Sequence, residues 1–256
     1  MDLLWLEVPR WKERHDLLHG FFGRRGGEST GPFSGLNISF NVGDDPEAVT
    51  NNICNMKRAV GVHDLRIVTI KQVHGDHIIN VKDGSRKEAG EGDGMVTTAK
   101  GVFLGILTAD CVPILFCARN AKLVAVAHAG WRGTLLGLAP KMVKYLKDSY
   151  GVESSAVEVA LGPAIGSCCY EIGPDVTEPF VKRWGESARK ALRKDGSKTF
   201  LDLRGLNVSL LKESGIRGEN IWQVGSCTAC VPEDFFSYRR DGLQTGRQIS
   251  FIGWRP

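Results

Sequence analysis

An α+β fold with mixed β-sheets is what this sequence predicts, and three observations carry that reading. Strand-length apolar runs outnumber the amphipathic runs long enough for helices. Several neighbouring runs are separated by gaps of hairpin length. Strands and helices also fail to alternate in the regular way that a doubly wound parallel sheet requires. The 256 residues are 42% hydrophobic and 24% charged, an ordinary globular composition with material for a sizeable core. No repeat, low-complexity stretch or linker divides the chain, so residues 1–256 are read as a single domain.

The elements follow in order. Phe21–Ser29 (FFGRRGGES) reads as a Gly- and Arg-rich loop. Asp45-Pro46-Glu47 supplies an N-cap, a proline at the first helical position and an early acid, so a helix is predicted to about Val60, with Gly61 as its stop. Strands are predicted at Arg66–Lys71, His77–Val81, Val102–Thr108, Val112–Cys117 and Leu123–His128. The longest helix is expected over Gly133–Ser149, with Leu135, Leu138, Met142, Val143 and Leu146 as its apolar stripe. Further strands fall at Val157–Leu161, Ile221–Val224 and Gln248–Ile252, and helices near Asp175–Trp184 and Asp202–Ser214.

Charge and cysteine usage narrow the function classes. The net charge of +4 is mild and suits an anionic substrate, but Lys and Arg form no stripe, which argues against nucleic acid as a partner. Gly101–Ala118 is apolar enough to suggest a membrane span, yet Asp110 and Pro113 interrupt it, and two buried strands explain it better. The first residues, MDLLWLEVPRWKER, lack the basic and apolar regions of a secretory signal. With seven cysteines, an odd number, reduced thiols and a cytoplasmic location are expected. No obligate protein partner is evident.

His74, Cys111 and His128 carry the sharpest chemistry. Each ends an apolar strand-like run amid small residues: KQVHGD, LTADCVP and VAVAHAGWRG. Two imidazoles and a thiolate are a good soft ligand set for zinc, and three protein ligands leave the fourth position open for water or substrate. Their wide spacing suits a site assembled from several strand ends on a preformed scaffold. HAGWRG then takes the chain from a strand into a helix, so free backbone N–H groups and Arg132 offer an anion pocket beside His128. Asp93, in Gly92-Asp-Gly94, is a candidate general acid or base on a turn. Asp110 is either a partner for a histidine N–H or a turn residue.

Gln72 and His74 share one face of an extended chain, with Lys71 on the other. Asn41 is a polar residue in an apolar setting and a candidate for orienting a ligand. Cys168 and Cys169 follow the GPAIG turn and are candidates to line the pocket, whereas the CxxC at Cys227 and Cys230 reads as packing, since a structural zinc needs two more ligands. Ser237–Asp241 and Arg247 form a basic cluster, either a solvated face or an anion site.

The combination of KQVHG (71–75), GDG (92–94), TADCVP (108–113), HAGWRG (128–133), LGPAIGSCCYEIG (161–173) and SYRRDG…TGRQ (237–248) resembles the laccase-domain family. That family is also labelled multicopper polyphenol oxidase and, in bacteria, peptidoglycan editing factor. The resemblance implies an α/β/β/α layered arrangement, with zinc held by His74, Cys111 and His128. It also implies phosphorolysis of adenosine, inosine, guanosine and methylthioadenosine, together with adenosine deamination, so nucleoside and phosphate are the expected small-molecule partners. Asn41, Lys71, Asp93 and Arg132 match positions near the family pocket. On this reading Asp93, Arg132 and Cys111 are catalytic, and Asn41, Lys71, Gln72, Arg132 and Cys169 bind substrate.

Two alternatives stand beside it: a copper-dependent polyphenol oxidase, and hydrolytic editing of peptidoglycan precursors. Copper is a possible alternative metal, because it outranks zinc in affinity for such a site. Against the oxidase, the chain has six histidines and no His-x-His pair to build a trinuclear copper cluster.

Overall fold

The computed structural model describes residues 3–62 and 66–256; Met1, Asp2 and residues 63–65 lie outside the described residues. The α+β class with mixed sheets is what it shows. One six-stranded sheet runs in the order Trp5–Leu6, Leu17–Phe22, Gln248–Trp254, Val102–Thr108, Arg66–Lys71 and Glu88–Glu91. A second runs Ile221–Gln223, Glu158–Leu161, Val112–Ala118, Leu123–Ala129, Gly94–Thr97 and Ile78–Asn80. A small three-stranded sheet joins Glu171–Ile172, Lys198–Leu201 and Leu192–Asp195. Both large sheets combine parallel and antiparallel pairs.

Strand alternation decides which side chain enters which layer. Leu104 and Ile106 point from the first sheet into a core shared with Leu115, Cys117, Val124 and Val126 of the second. Phe103, Ile249 and Phe251 point the other way, where Ile53 and Met56 of the helix Pro46–Ala59 and its C-cap Val60 cover them. On the outer face of the second sheet, Ile114, Phe116, Leu123 and Ala125 pack against Met142, Leu146, Phe180 and Leu210 from three helices. The result is helix, sheet, sheet and helices in four layers. Among the described residues no helix is long and apolar enough to cross a membrane.

Most predicted elements are present within a residue or two, and Asp45 caps its helix as expected, accepting from the Glu47 N–H at 3.0 Å. Three differences matter. The helix expected over 133–149 is two helices, Trp131–Leu136 and Leu138–Tyr150, parted by Gly137 in the left-handed region at φ 85°. Phe21 and Phe22, read as loop, end the buried strand Leu17–Phe22. The helix placed near 175–184 runs over Pro174–Ala191 with a kink at Gly185.

Candidate functional site

Two loops and the end of a strand bring His74, Cys111 and His128 together, with their ligating atoms all within 4.8 Å of one another. His128 belongs to the strand Leu123–Ala129, where Val124 and Val126 already face the other sheet. Two residues further along, His128 therefore faces the same way and is 2% exposed. Cys111 sits in the short connection that carries the chain from Val102–Thr108 of the first sheet to Val112–Ala118 of the second. His74 follows Arg66–Lys71 and adopts a left-handed backbone at φ 59°. Asp110 is also left-handed, at φ 99°. Neither is glycine, and such conformations persist only where the surroundings enforce them.

Asp93 is one enforcer. It is completely buried and accepts four donors: the backbone N–H groups of Val73 (3.3 Å), His74 (3.0 Å) and Gly75 (2.6 Å), and Nδ1 of His128 (2.7 Å). The last bond holds a proton on Nδ1 of His128 and leaves Nε2 as the nitrogen available to a metal. Against burial, Cys111 and Asp93 raise the ring's pKa to about 9, so a metal would displace the Nε2 proton. Asp93 is therefore not the acid facing a substrate that the sequence suggested. It lies behind the histidines and holds them. Asp110, in turn, accepts from the Thr228 hydroxyl and the Arg239 N–H, both at 2.6 Å, which secures the strained turn before Cys111.

The electrostatics favour ligand-ready forms. Burial works against ionisation of the Cys111 thiol, but His128 and His74 outweigh it and hold its pKa at about 6. A thiolate at neutral pH and two imidazoles, one of them oriented by a carboxylate, are donors that suit zinc. Space has been kept as well. A Cβ at Gly130 would stand 3.0 Å from Cys111 Sγ and 3.1 Å from His74 Cδ2. Its backbone, at φ −69°, would accept any residue, so this glycine serves room and not conformation. The residues present fit a metal of this class.

The trio opens into a cavity of about 610 Å³. Arg132, Arg239 and Arg247 line it, with Trp131, Tyr170 and Tyr238 as aromatic walls and Ser39, Gln72 and Thr108 as polar ones. Arg132 stacks on Trp131, 4.4 Å from the ring centre, and Arg239 on Tyr170 at 5.0 Å. Burial raises the pKa of Tyr170, which keeps its hydroxyl protonated as a donor. Thr108 lines this cavity, and its buried Oγ1 has no hydrogen-bond partner among the described residues.

Of the residues expected to bind substrate, Arg132 and Gln72 line the cavity. The Gln72 amide is clamped to the Leu107 backbone by two 2.8 Å bonds, so it shapes the wall. Three others do not line it. Lys71 is exposed and paired with Glu91 at 2.6 Å, as its position on the opposite face from His74 would dictate. Asn41 is exposed on a short helical turn, and Ser39 lines the cavity in its place. Cys169 belongs to a separate cluster with Cys168, Cys227 and Cys230. Sequence reasoning missed Tyr170, Tyr238 and Thr108 and left Arg239 and Arg247 undecided; the SYRRDG…TGRQ pattern was the available signal.

Residues 18–255 match the family described as multi-copper polyphenol oxidoreductase laccase. The purine nucleoside phosphorylase YlmD of Geobacillus stearothermophilus is 37% identical over 245 residues, covering 92% of this chain and 89% of the relative. An adenosine deaminase, RL5, from an unknown prokaryotic organism is 34% identical over 229 residues, covering 86% and 87%. The crystal structure of a hypothetical protein YfiH from Bacillus licheniformis aligns with a TM-score of 0.92 at 34% identity, covering 99% of this chain and 96% of that one.

Proposed function

Because this chain belongs to the multi-copper polyphenol oxidoreductase laccase family, whose named relatives include a purine nucleoside phosphorylase and an adenosine deaminase, we propose that it is a zinc-dependent purine nucleoside phosphorylase that also deaminates adenosine. The observation that carries this reading is one cavity joining a His₂Cys ligand set to three arginines and three aromatic side chains. Arginine forks suit phosphate oxygens. Flat aromatic walls suit a purine. A bound zinc would supply a Lewis acid at the position His74, Cys111 and His128 leave open.

Phosphate held by Arg132, Arg239 and Arg247 is placed to attack the ribose C1′. As the new C1′–O bond forms, the C1′–N bond breaks and its electron pair leaves with the base. The Tyr170 hydroxyl on the cavity wall is a donor available to substrate oxygens and nitrogens. The anion site sits on the arginine side chains more than on the helix start at Gly130, because that helix spans only Trp131–Leu136. Adenosine, inosine, guanosine and methylthioadenosine share the purine and ribose these groups would meet.

The copper oxidase reading fits the residues less well. Among the described residues only two groups of three or more potential ligands occur, one of His₂Cys and one of four cysteines. Neither is the histidine-rich cluster that oxygen reduction at coupled coppers needs. Incubating purified protein with inosine and with adenosine, with and without inorganic phosphate, tests the proposal. Free base should appear only with phosphate, and ammonia should appear from adenosine alone. Oxidation of a phenol without nucleoside turnover would overturn it.

A further inference from the structure

A second group of soft ligands stands apart from the cavity. The strands Glu158–Leu161 and Ile221–Gln223 pair in parallel, so the loops that follow them leave the same end of the sheet. An isolated parallel bridge between Ala164 and Cys227 continues the pairing, and Thr228 N–H donates to Ala164 O at 3.1 Å. This topology carries Cys168 and Cys169 from the first loop onto Cys227 and Cys230 from the second. The four sulfurs all lie within 4.8 Å of one another. Cys230 Sγ is 3.4 Å from Cys168 Sγ and 3.3 Å from Cys169 Sγ.

We propose that Cys168, Cys169, Cys227 and Cys230 form a closed four-thiolate site for zinc that staples these two loops together. Zinc–sulfur bonds of about 2.3 Å place tetrahedral ligands about 3.8 Å apart, inside the range of these sulfurs. A disulfide joins sulfurs in one pair, whereas Cys230 is shared almost equally between two neighbours. The backbone also directs donors at one of these sulfurs. Gly166 N–H donates to Cys227 Sγ at 3.2 Å, and the amides of Ala229 and Cys230 are directed at the same sulfur. Packing explains the group poorly, because Cys168 and Cys230 are exposed. Four protein ligands leave no open position, which marks a structural ion and not a reacting one.

The staple touches the cavity wall at two points. Thr228, inside the CxxC turn, donates to Asp110, the residue before Cys111. Cys169 O and Glu171 O accept from the guanidinium of Arg239, at 3.3 and 2.9 Å. Closing the thiolates around an ion therefore fixes Asp110 and Arg239 without contact between the ion and any substrate.

The test uses the reduced, metal-free full chain carrying Cys111→Ala, which removes the only thiolate of the cavity ligand set. Titration with Co²⁺ should saturate at about one ion per chain with the intense near-ultraviolet sulfur-to-cobalt bands of a tetrahedral thiolate site, and Zn²⁺ should displace it. Adding Cys168→Ser and Cys230→Ser, both at exposed positions, should abolish those bands. Should Cys111→Ala fail to fold, the otherwise unsubstituted chain should lose one bound ion and the thiolate-rich bands on Cys168→Ser with Cys230→Ser. No cobalt–sulfur band in the Cys111→Ala chain would overturn the proposal. So would a mass deficit from disulfides among these four residues in protein prepared without oxidant. Because the readout is a spectrum at the cysteines, it separates failure of this site from failure of the cavity site.

Discussion

Replacing Asp93 by asparagine perturbs the cavity site through a group that never reaches the cavity. Oδ1 takes the His74 N–H and His128 Nδ1, and Oδ2 takes the Val73 and Gly75 N–H groups. An asparagine has one acceptor oxygen, so its NH₂ must face one of these donor pairs whichever way the amide turns. Two bonds to a buried carboxylate are lost, at about 1.5–3 kcal/mol each, and the remaining two weaken to neutral bonds. A net destabilisation of about 3 kcal/mol lowers the melting temperature of a chain this long by about 6–12 °C. His128 also loses the partner that orients its ring, which should weaken metal binding about 10–100-fold. Thermal melts with and without zinc, together with competition against a chromogenic chelator, read both effects. An Asp93→Asn protein with unchanged melting and unchanged zinc affinity would refute a holding role. A selective loss of turnover with unaltered metal binding would restore Asp93 as a proton donor.

Three other outcomes follow from the same geometry. Gly130→Ala should fold normally but lose metal affinity, because its Cβ enters the space beside Cys111 and His74; metal analysis after dialysis checks this, and full retention would contradict it. Arg239→Ala should raise the phosphate KM about 10- to 100-fold, from the loss of a charged hydrogen bond, while altering adenosine deamination less; equal loss of both activities would show one shared role. His19 should make stability depend on acid. It is 1% exposed, its Nε2 accepts from the Val8 N–H at 2.9 Å, and burial lowers its pKa to about 4. The unfolded chain, with a pKa near 6.5, takes up the proton first as pH falls. Stability held above pH 6.5 is then lost down to about pH 4, by about 3 kcal/mol. Urea midpoints at several pH values should show this for the parent and a flatter profile for His19→Gln.

Much of this was legible in the sequence, where period and punctuation carry local information. Asp45-Pro46 and Gly61 bracket their helix because caps act within a turn. His74, Cys111 and His128 stood out because each ends an apolar run, and strand ends are where sheets expose side chains. What the sequence withheld depends on long-range pairing. Asp93 looks like a free turn acid until the loop 73–75 and His128 arrive to occupy its oxygens. The CxxC looked incomplete because its other two cysteines come from a loop roughly sixty residues earlier, aligned by the parallel pairing of two strands. Lys71 was legible yet misassigned: alternation already set it on the face away from His74. The break at Gly137 was hidden because the apolar stripe continues across it with only a local change of direction.

The account rests on phosphate, and not water, cleaving the glycosidic bond in the arginine-lined cavity. Turnover of inosine in ¹⁸O-labelled water with unlabelled phosphate, read by mass spectrometry of the sugar product, tests this directly. The proposed phosphorolysis predicts ribose 1-phosphate with no label at C1. Free ribose carrying ¹⁸O at C1, formed at the same rate with or without phosphate, would contradict it.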